Sequence, residues 1–145
     1  MSYFDSAYIA KFYLDEPESD AVRRLAESLG VVRCAAIGRV EVAAAFHRKL
    51  REGALDLSEF REVSAQFDED CVQGLWTWLP ITDAVSATAA AAFARLPRSV
   101  FLRGADALHL TCAREHGLPE VYTDDRHMQA AARHFRLRPL TVGRV

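Results

Sequence analysis

The chain of 145 residues, half of them hydrophobic and 26% charged, is expected to form one soluble globular domain, residues 1–145, with a sizeable core. A formal net charge of −2 argues against a global pull towards nucleic acid, and no apolar run approaches the roughly 20 residues that a membrane span needs. Three scattered cysteines (Cys34, Cys71, Cys112) argue against a disulfide framework or thiolate metal site, and Asp5 and Lys11 inside the apolar N-terminal stretch argue against a signal peptide, so a cytoplasmic location is expected.

Taken in chain order, the apolar periodicity predicts alternating short strands and longer helices. A strand at about 2–5 leads into a helix from Ser6 to Leu14, and a second helix begins near Pro17, a residue suited to a first helical turn. "GVVRC" reads as a strand, and "GRVEVAAAFHRKLREG" as a helix of strong formers closed by Gly53. Ser58 is expected to cap "EFREVSAQFDEDCV", in which Phe60, Val63 and Phe67 recur at helical spacing. "WTWLPI" is a short strand, and Thr82 or Asp83 opens an alanine-rich helix that ends before Pro97. "GADALHLTCAREHG" is a helix stopped by Gly117, "EVYT" a strand, "DRHMQAAARHF" a helix and "RPLTV" a final strand. This alternation predicts an α/β fold with a central, mostly parallel sheet covered by helices on both faces. The helix pairs 6–14/17–28 and 38–53/58–72 read as insertions on that scaffold.

In open α/β sheets ligands bind beyond the carboxyl ends of the strands. Asp5 ends "SYF", and Asp124 and Asp125 end "VYT", so three acids fall there. Each also starts a helix, where a carboxylate bonds free backbone N–H groups, and capping alone would account for any one of them. Glu41, followed by five apolar residues, and Asp106, flanked by Ala105, Ala107, Leu108 and Leu110, fit that explanation less well. A helix apolar nearly all round is expected to be buried, and a buried carboxylate is costly unless it pairs or binds a metal. Arg39 and Arg103 are the nearby pairing candidates. Together the acids suggest a convergent pocket of hard oxygen ligands without Cys or His, which points to Mg²⁺ or Mn²⁺. Such ions bind substrate phosphates, so phosphodiester hydrolysis by metal-activated water is the natural chemistry. "FHRKLRE" gathers His47, Arg48, Lys49 and Arg51, and "RLPRSVFLR" adds Arg95, Arg98 and Arg103. These read either as a solvated helix face or as a basic rim for phosphate.

Four segments carry a resemblance. "YFDSAYIAKFYLDEPES", "GRVEVAAAFHRKL", "GADALHLTCA" and "VYTDDRHMQAAA" resemble, in order, the four acidic segments of PIN-domain ribonucleases, particularly the VapC toxins of type II toxin–antitoxin pairs. The resemblance runs nearly end to end. It implies a PIN-like three-layer α/β/α fold, Mg²⁺-dependent endoribonuclease activity (with Mn²⁺ expected to substitute), homodimerisation and inhibition by a small antitoxin protein. Carried over by position, Asp5, Glu41, Asp106 and Asp125 form the catalytic quartet. Asp5, Asp106 and Asp125 are its expected metal ligands, and Ser6, Thr123 and Asp124 are supporting residues. The register T-x-D-x-x-M selects Asp125 over Asp124 as the principal acid. Ala7 and Ala36 depart from the family pattern at positions where a hydroxyl is often found.

Lys11, Arg48 and Arg103 are candidate contacts for the phosphates of an RNA substrate. His109 reads as a packing or outer-shell residue, and the five histidines show no zinc pattern. Trp76 and Trp78 read as core or interface packing rather than base-stacking groups. Two rival functions remain: a catalytically silent PIN-like binding module, and a phosphatase-like hydrolase using Asp5 as nucleophile. Against the latter, Ser6 and Ala7 follow Asp5 where a D-x-D motif would supply a second acid.

Overall fold

A computed structural model describes residues 1–143. Five strands, β1 (Ser2–Phe4), β2 (Val32–Ala35), β3 (Trp76–Leu79), β4 (Glu120–Tyr122) and β5 (Arg138–Leu140), form one sheet in the order β3-β2-β1-β4-β5. Every pairing is parallel, so the sheet goes beyond the mostly parallel expectation. The helices are α1 (Ser6–Tyr13), α2 (Ser19–Leu29), α3 (Ile37–Arg51), α4 (Leu57–Gln73), α5 (Asp83–Phe93), α6 (Gly104–Glu115) and α7 (Arg126–Ala132). The two helix pairs expected as insertions are instead the crossovers themselves, α1–α2 joining β1 to β2 and α3–α4 joining β2 to β3. Parallel neighbours cannot be joined by a tight turn, so each connection must traverse the sheet, and its helices cover a face. Helices α1 to α4 pack on one another, as do α5, α6 and α7, giving a three-layer α/β/α arrangement.

The central strand β1 is wholly buried, consistent with a strand covered on both faces. Phe4 packs edge-on against Tyr8 and Tyr122 and at a tilt against Trp76. Beside it, Tyr13 meets Phe46, Phe67 and Trp76. Large aromatics with a polar atom need a partner when buried. Here the Trp76 indole donates to the Tyr13 oxygen at 2.6 Å, and the Tyr13 hydroxyl donates to Asp70, also at 2.6 Å. Trp76 is therefore a core residue.

Three local expectations change. Asp56, not Ser58, caps α4: its carboxylate accepts from the Glu59 N–H at 2.8 Å, and Glu59 accepts from the Asp56 N–H at 3.0 Å. This reciprocal box satisfies two donors that the helix start leaves free. Helix α2 begins at Ser19, two residues past Pro17, which lies in a turn. Helix α3 is not buried all round; it buries only Gly38, Val42 and Phe46, and Val40 is 70% exposed. Among the described residues, no helix is long and apolar enough to cross a membrane.

Candidate active site

The chain passes from β1 straight into α1, and Asp5 occupies the joint. Its N–H donates to the Tyr122 carbonyl of β4 at 3.1 Å, and its carboxylate caps α1 by accepting from the Tyr8 N–H at 2.9 Å. Asp5 is nearly inaccessible. Burial pushes its carboxyl up to about 6, against the Thr123 hydroxyl, the Tyr8 amide and the charge of His109, which all favour ionisation. The neighbouring Asp124 adds a smaller upward push.

The adjacent acids after β4 diverge. Asp124 accepts from the Tyr8 hydroxyl at 3.1 Å and from Lys11 at 2.5 Å. Asp125 caps α7, one oxygen accepting from the His127 and Met128 N–H groups at 2.8 and 2.9 Å. Its other oxygen accepts from the Arg103 guanidinium at 3.1 Å. Thr123, fully buried, accepts from the Asp125 N–H at 3.1 Å and so fixes the turn between them.

Asp106 lies in the first turn of α6 and is 7% exposed. Arg103, the residue before that helix, donates through Nε to Asp106 at 3.0 Å and through Nη2 to Asp125. One guanidinium thus ties acids from two elements, and the pairing expected for Asp106 is extended to a second partner. Arg39 forms no such bond to Glu41. That carboxylate instead accepts from the His109 Nε2–H at 2.5 Å. On the other ring nitrogen, His109 meets the Tyr3 hydroxyl at 2.6 Å, and the Tyr3 oxygen accepts from the Ala35 N–H at 2.9 Å. Burial opposes ionisation of Glu41, but the hydrogen bond and charge of His109, then the Ser6 hydroxyl and Arg103, hold it below its ordinary value. Burial likewise opposes the imidazolium, yet contacts with Cys34 and Glu41 raise His109 above its usual range.

This contact depends on Gly38, one turn before Glu41. A Cβ on Gly38 would sit 2.3 Å from the Cys34 sulfur and 3.5 Å from the His109 ring. Only a glycine lets α3 approach β2 and α6 so closely. His109, expected as a packing or outer-shell residue, thus bonds directly to Glu41. The spacing of Asp106 and His109, three apart on one helix, puts the imidazole on the face that carries Asp106 but does not name Glu41, on another helix, as its partner.

Glu41, Ser6, Lys11 and Arg103 line a groove of about 690 Å³ that is also lined by His47, Arg48, Lys49 and Arg51, further along α3 from Glu41. Lys11 pairs with Asp124 and Glu18, while Arg48 reaches only Glu52, at 3.9 Å. Of the three expected phosphate contacts, Arg48 is thus the least committed. Carboxylate oxygens from Asp5, Asp106 and Asp125 are hard donors, chemically suited to Mg²⁺ or Mn²⁺. Among the described residues, however, no three Asp, Glu, His or Cys groups converge tightly enough to enclose an ion, and Arg103 already supplies positive charge to Asp106 and Asp125.

A search of curated proteins finds no match to the chain. Residues 2–134 match the PIN domain family, a span that takes in all four acids and every residue lining the groove. With that span, the all-parallel sheet and the strand-end acids in agreement, the chain belongs to the PIN domain family, whose domains are generally metal-dependent nucleases.

Proposed function

We propose that this protein is a Mg²⁺-dependent endoribonuclease that serves as the toxin of a toxin–antitoxin pair, with Mn²⁺ also supporting cleavage. The observation that carries the nuclease reading is the junction of acid and base. Glu41 and Arg103, the latter tied to Asp106 and Asp125, line the same groove as the α3 cations. A phosphodiester chain held by Arg48, Lys49 and Arg51 would lie beside the carboxylates. Asp5, Asp106 and Asp125 are the residues that would hold the ion, once Arg103 gives up its two carboxylates; the ion would supply positive charge against the phosphate and make water a better nucleophile. Glu41, kept ionised, accepts a hydrogen bond from the attacking water and orients it. Lys11 and Arg103 would meet phosphate only by exchanging their carboxylate partners for it.

The toxin role, a small antitoxin partner and a homodimer rest on the resemblance of the four acidic segments. Purified protein should cut structured RNA with Mg²⁺ or Mn²⁺ and stop in EDTA, and equal cleavage in EDTA rejects the reading. Expression alone should arrest growth, and co-expression of an adjacent small gene should restore it. If Asp106→Asn protein arrests growth equally, nuclease action is not the cause.

A further inference from the structure

Glu41, partly exposed, has one more rotatable side-chain bond than the aspartates of the site. It is a long side chain on α3, its carboxylate opens onto the groove, and no backbone N–H holds it. Asp5 and Asp125, by contrast, are each pinned by main-chain amides. A catalytic carboxylate left to sample rotamers spends only part of its time in the productive geometry. The buried groups behind Glu41 supply the missing restraint. The Ala35 N–H of β2 donates to the Tyr3 oxygen of β1, the Tyr3 hydroxyl lies 2.6 Å from His109 Nδ1, and His109 Nε2–H donates to Glu41. Tyr3 and His109 are buried to within a per cent, which keeps water from the bonds that join Tyr3 to Ala35 and to His109. The charged imidazole that Glu41 favours donates from both ring nitrogens, Nε2–H to the carboxylate and Nδ1–H to the Tyr3 oxygen, which also accepts from the Ala35 amide.

From this line we infer that His109 and Tyr3 are positioning residues for the reaction, fixing the Glu41 carboxylate to the backbone of the central sheet. The inference rests on the nuclease reading proposed above and adds to it two residues that touch neither substrate nor ion. Arg103, which lines the same groove, is already shared between Asp106 and Asp125 and leaves Glu41 to His109.

The test compares wild type with His109→Leu, His109→Gln and Tyr3→Phe, each first checked for folding by circular dichroism and thermal melting. The glutamine amide can place an N–H near the position of Nε2, whereas leucine fills space without one. Losing an outer partner of a functional carboxylate is expected to lower kcat by about 10- to 100-fold in His109→Leu. KM should be nearly unchanged, and His109→Gln should recover most of the loss. Tyr3→Phe, which removes one oxygen, should lower kcat by a smaller factor and decides the matter if His109→Leu fails to fold. A second readout does not need activity. The shielded Nε2 proton should give a slowly exchanging downfield resonance in the proton NMR spectrum, shifted in Glu41→Gln and unmoved in Asp124→Asn. Wild-type kcat in Tyr3→Phe and in folded His109→Leu overturns the inference, as does a His109→Gln variant no better than leucine. If wild type cuts no RNA but the resonance responds to Glu41→Gln, the nuclease reading fails and the positioning stands. If wild type cuts RNA and no such resonance exists, the positioning fails alone.

Discussion

Replacing Gly38 with alanine probes the closest approach in the protein. The added methyl would meet the Cys34 sulfur at 2.3 Å, while its other neighbours, Trp78 and His109, stand at ordinary contact distances of 3.4 and 3.5 Å. A carbon beside a heavy atom sits comfortably at about 3.5–4.0 Å, so more than about 1 Å must be found between α3 and β2. Cys34 is fully buried on a strand paired on both sides and cannot swing into solvent. Overpacking of this kind costs roughly 1–3 kcal/mol. Alanine is a better helix former than glycine by up to about 1 kcal/mol in a helix interior, and by less at the second residue of α3. The net expectation is a loss of about 1–2 kcal/mol, read by urea unfolding at constant m-value. Cys34→Ala removes the single offending atom and should itself cost about 1 kcal/mol as a small cavity. In the double variant the methyl occupies the space the sulfur left, so its loss should fall short of the summed single losses by about 1 kcal/mol or more. Cleavage should follow the same cycle, because moving α3 outward carries Glu41 off His109. Additivity within about 0.5 kcal/mol, or a neutral Gly38→Ala, would refute the steric argument.

Three further outcomes are expected. Burial raises Asp5 above its unfolded value of 3.8 to about 6, so the folded state holds its proton more tightly. The associated stability is complete below pH 4 and is lost as pH rises through 6, an upper bound of about 3 kcal/mol from the size of that shift. Asn keeps the α1 cap without the buried charge; in EDTA, Asp5→Asn should therefore melt above wild type at pH 7 and converge with it near pH 4. A lower melting point at pH 7 counts against this reasoning. Asp125→Asn should reduce cleavage and Mn²⁺ affinity by about tenfold more than Asp124→Asn, whose carboxylate is engaged by Tyr8 and Lys11. The reverse order, measured by kinetics and calorimetry, would make Asp124 the principal acid. Asp56→Ala should cost about 1 kcal/mol in chemical denaturation by opening the α4 box, and Ser58→Ala almost nothing. Equal losses would restore Ser58 as the cap.

What could be read from the residues was local. Period and punctuation located the strands and most helices because those signals act within one turn or one pleat. The α4 cap was missed because an apolar Leu57, itself half exposed, stands between Asp56 and Ser58 and made the serine look like the boundary. Burial of α3 was overestimated because alanine counts as apolar, yet Ala43 and Ala44 are exposed. The Arg103–Asp106 pair was legible at three residues' spacing, but its extension to Asp125 was not. Nor was the bond from His109 to Glu41, which joins two helices through the geometry of a glycine contact. Spacing showed which acids fall at strand ends; only the packing of the layers decides what each carboxylate touches.

The strand order also bears on how the molecule comes into being. β1 lies in the middle of the sheet, but of its two neighbours only β2 is encoded nearby; β4 follows more than about a hundred residues later. Closing so long a loop is a slow, non-local event. Until β4 docks, Tyr3 and Phe4 present an unpaired edge, and the Asp5 amide lacks the Tyr122 carbonyl that anchors it. A chain halted before Glu120 would lack Asp125 and expose that edge, which makes it a target for aggregation rather than a weak nuclease. Catalytic competence therefore arrives in one step, with the docking of a late strand, and not in proportion to the length synthesised.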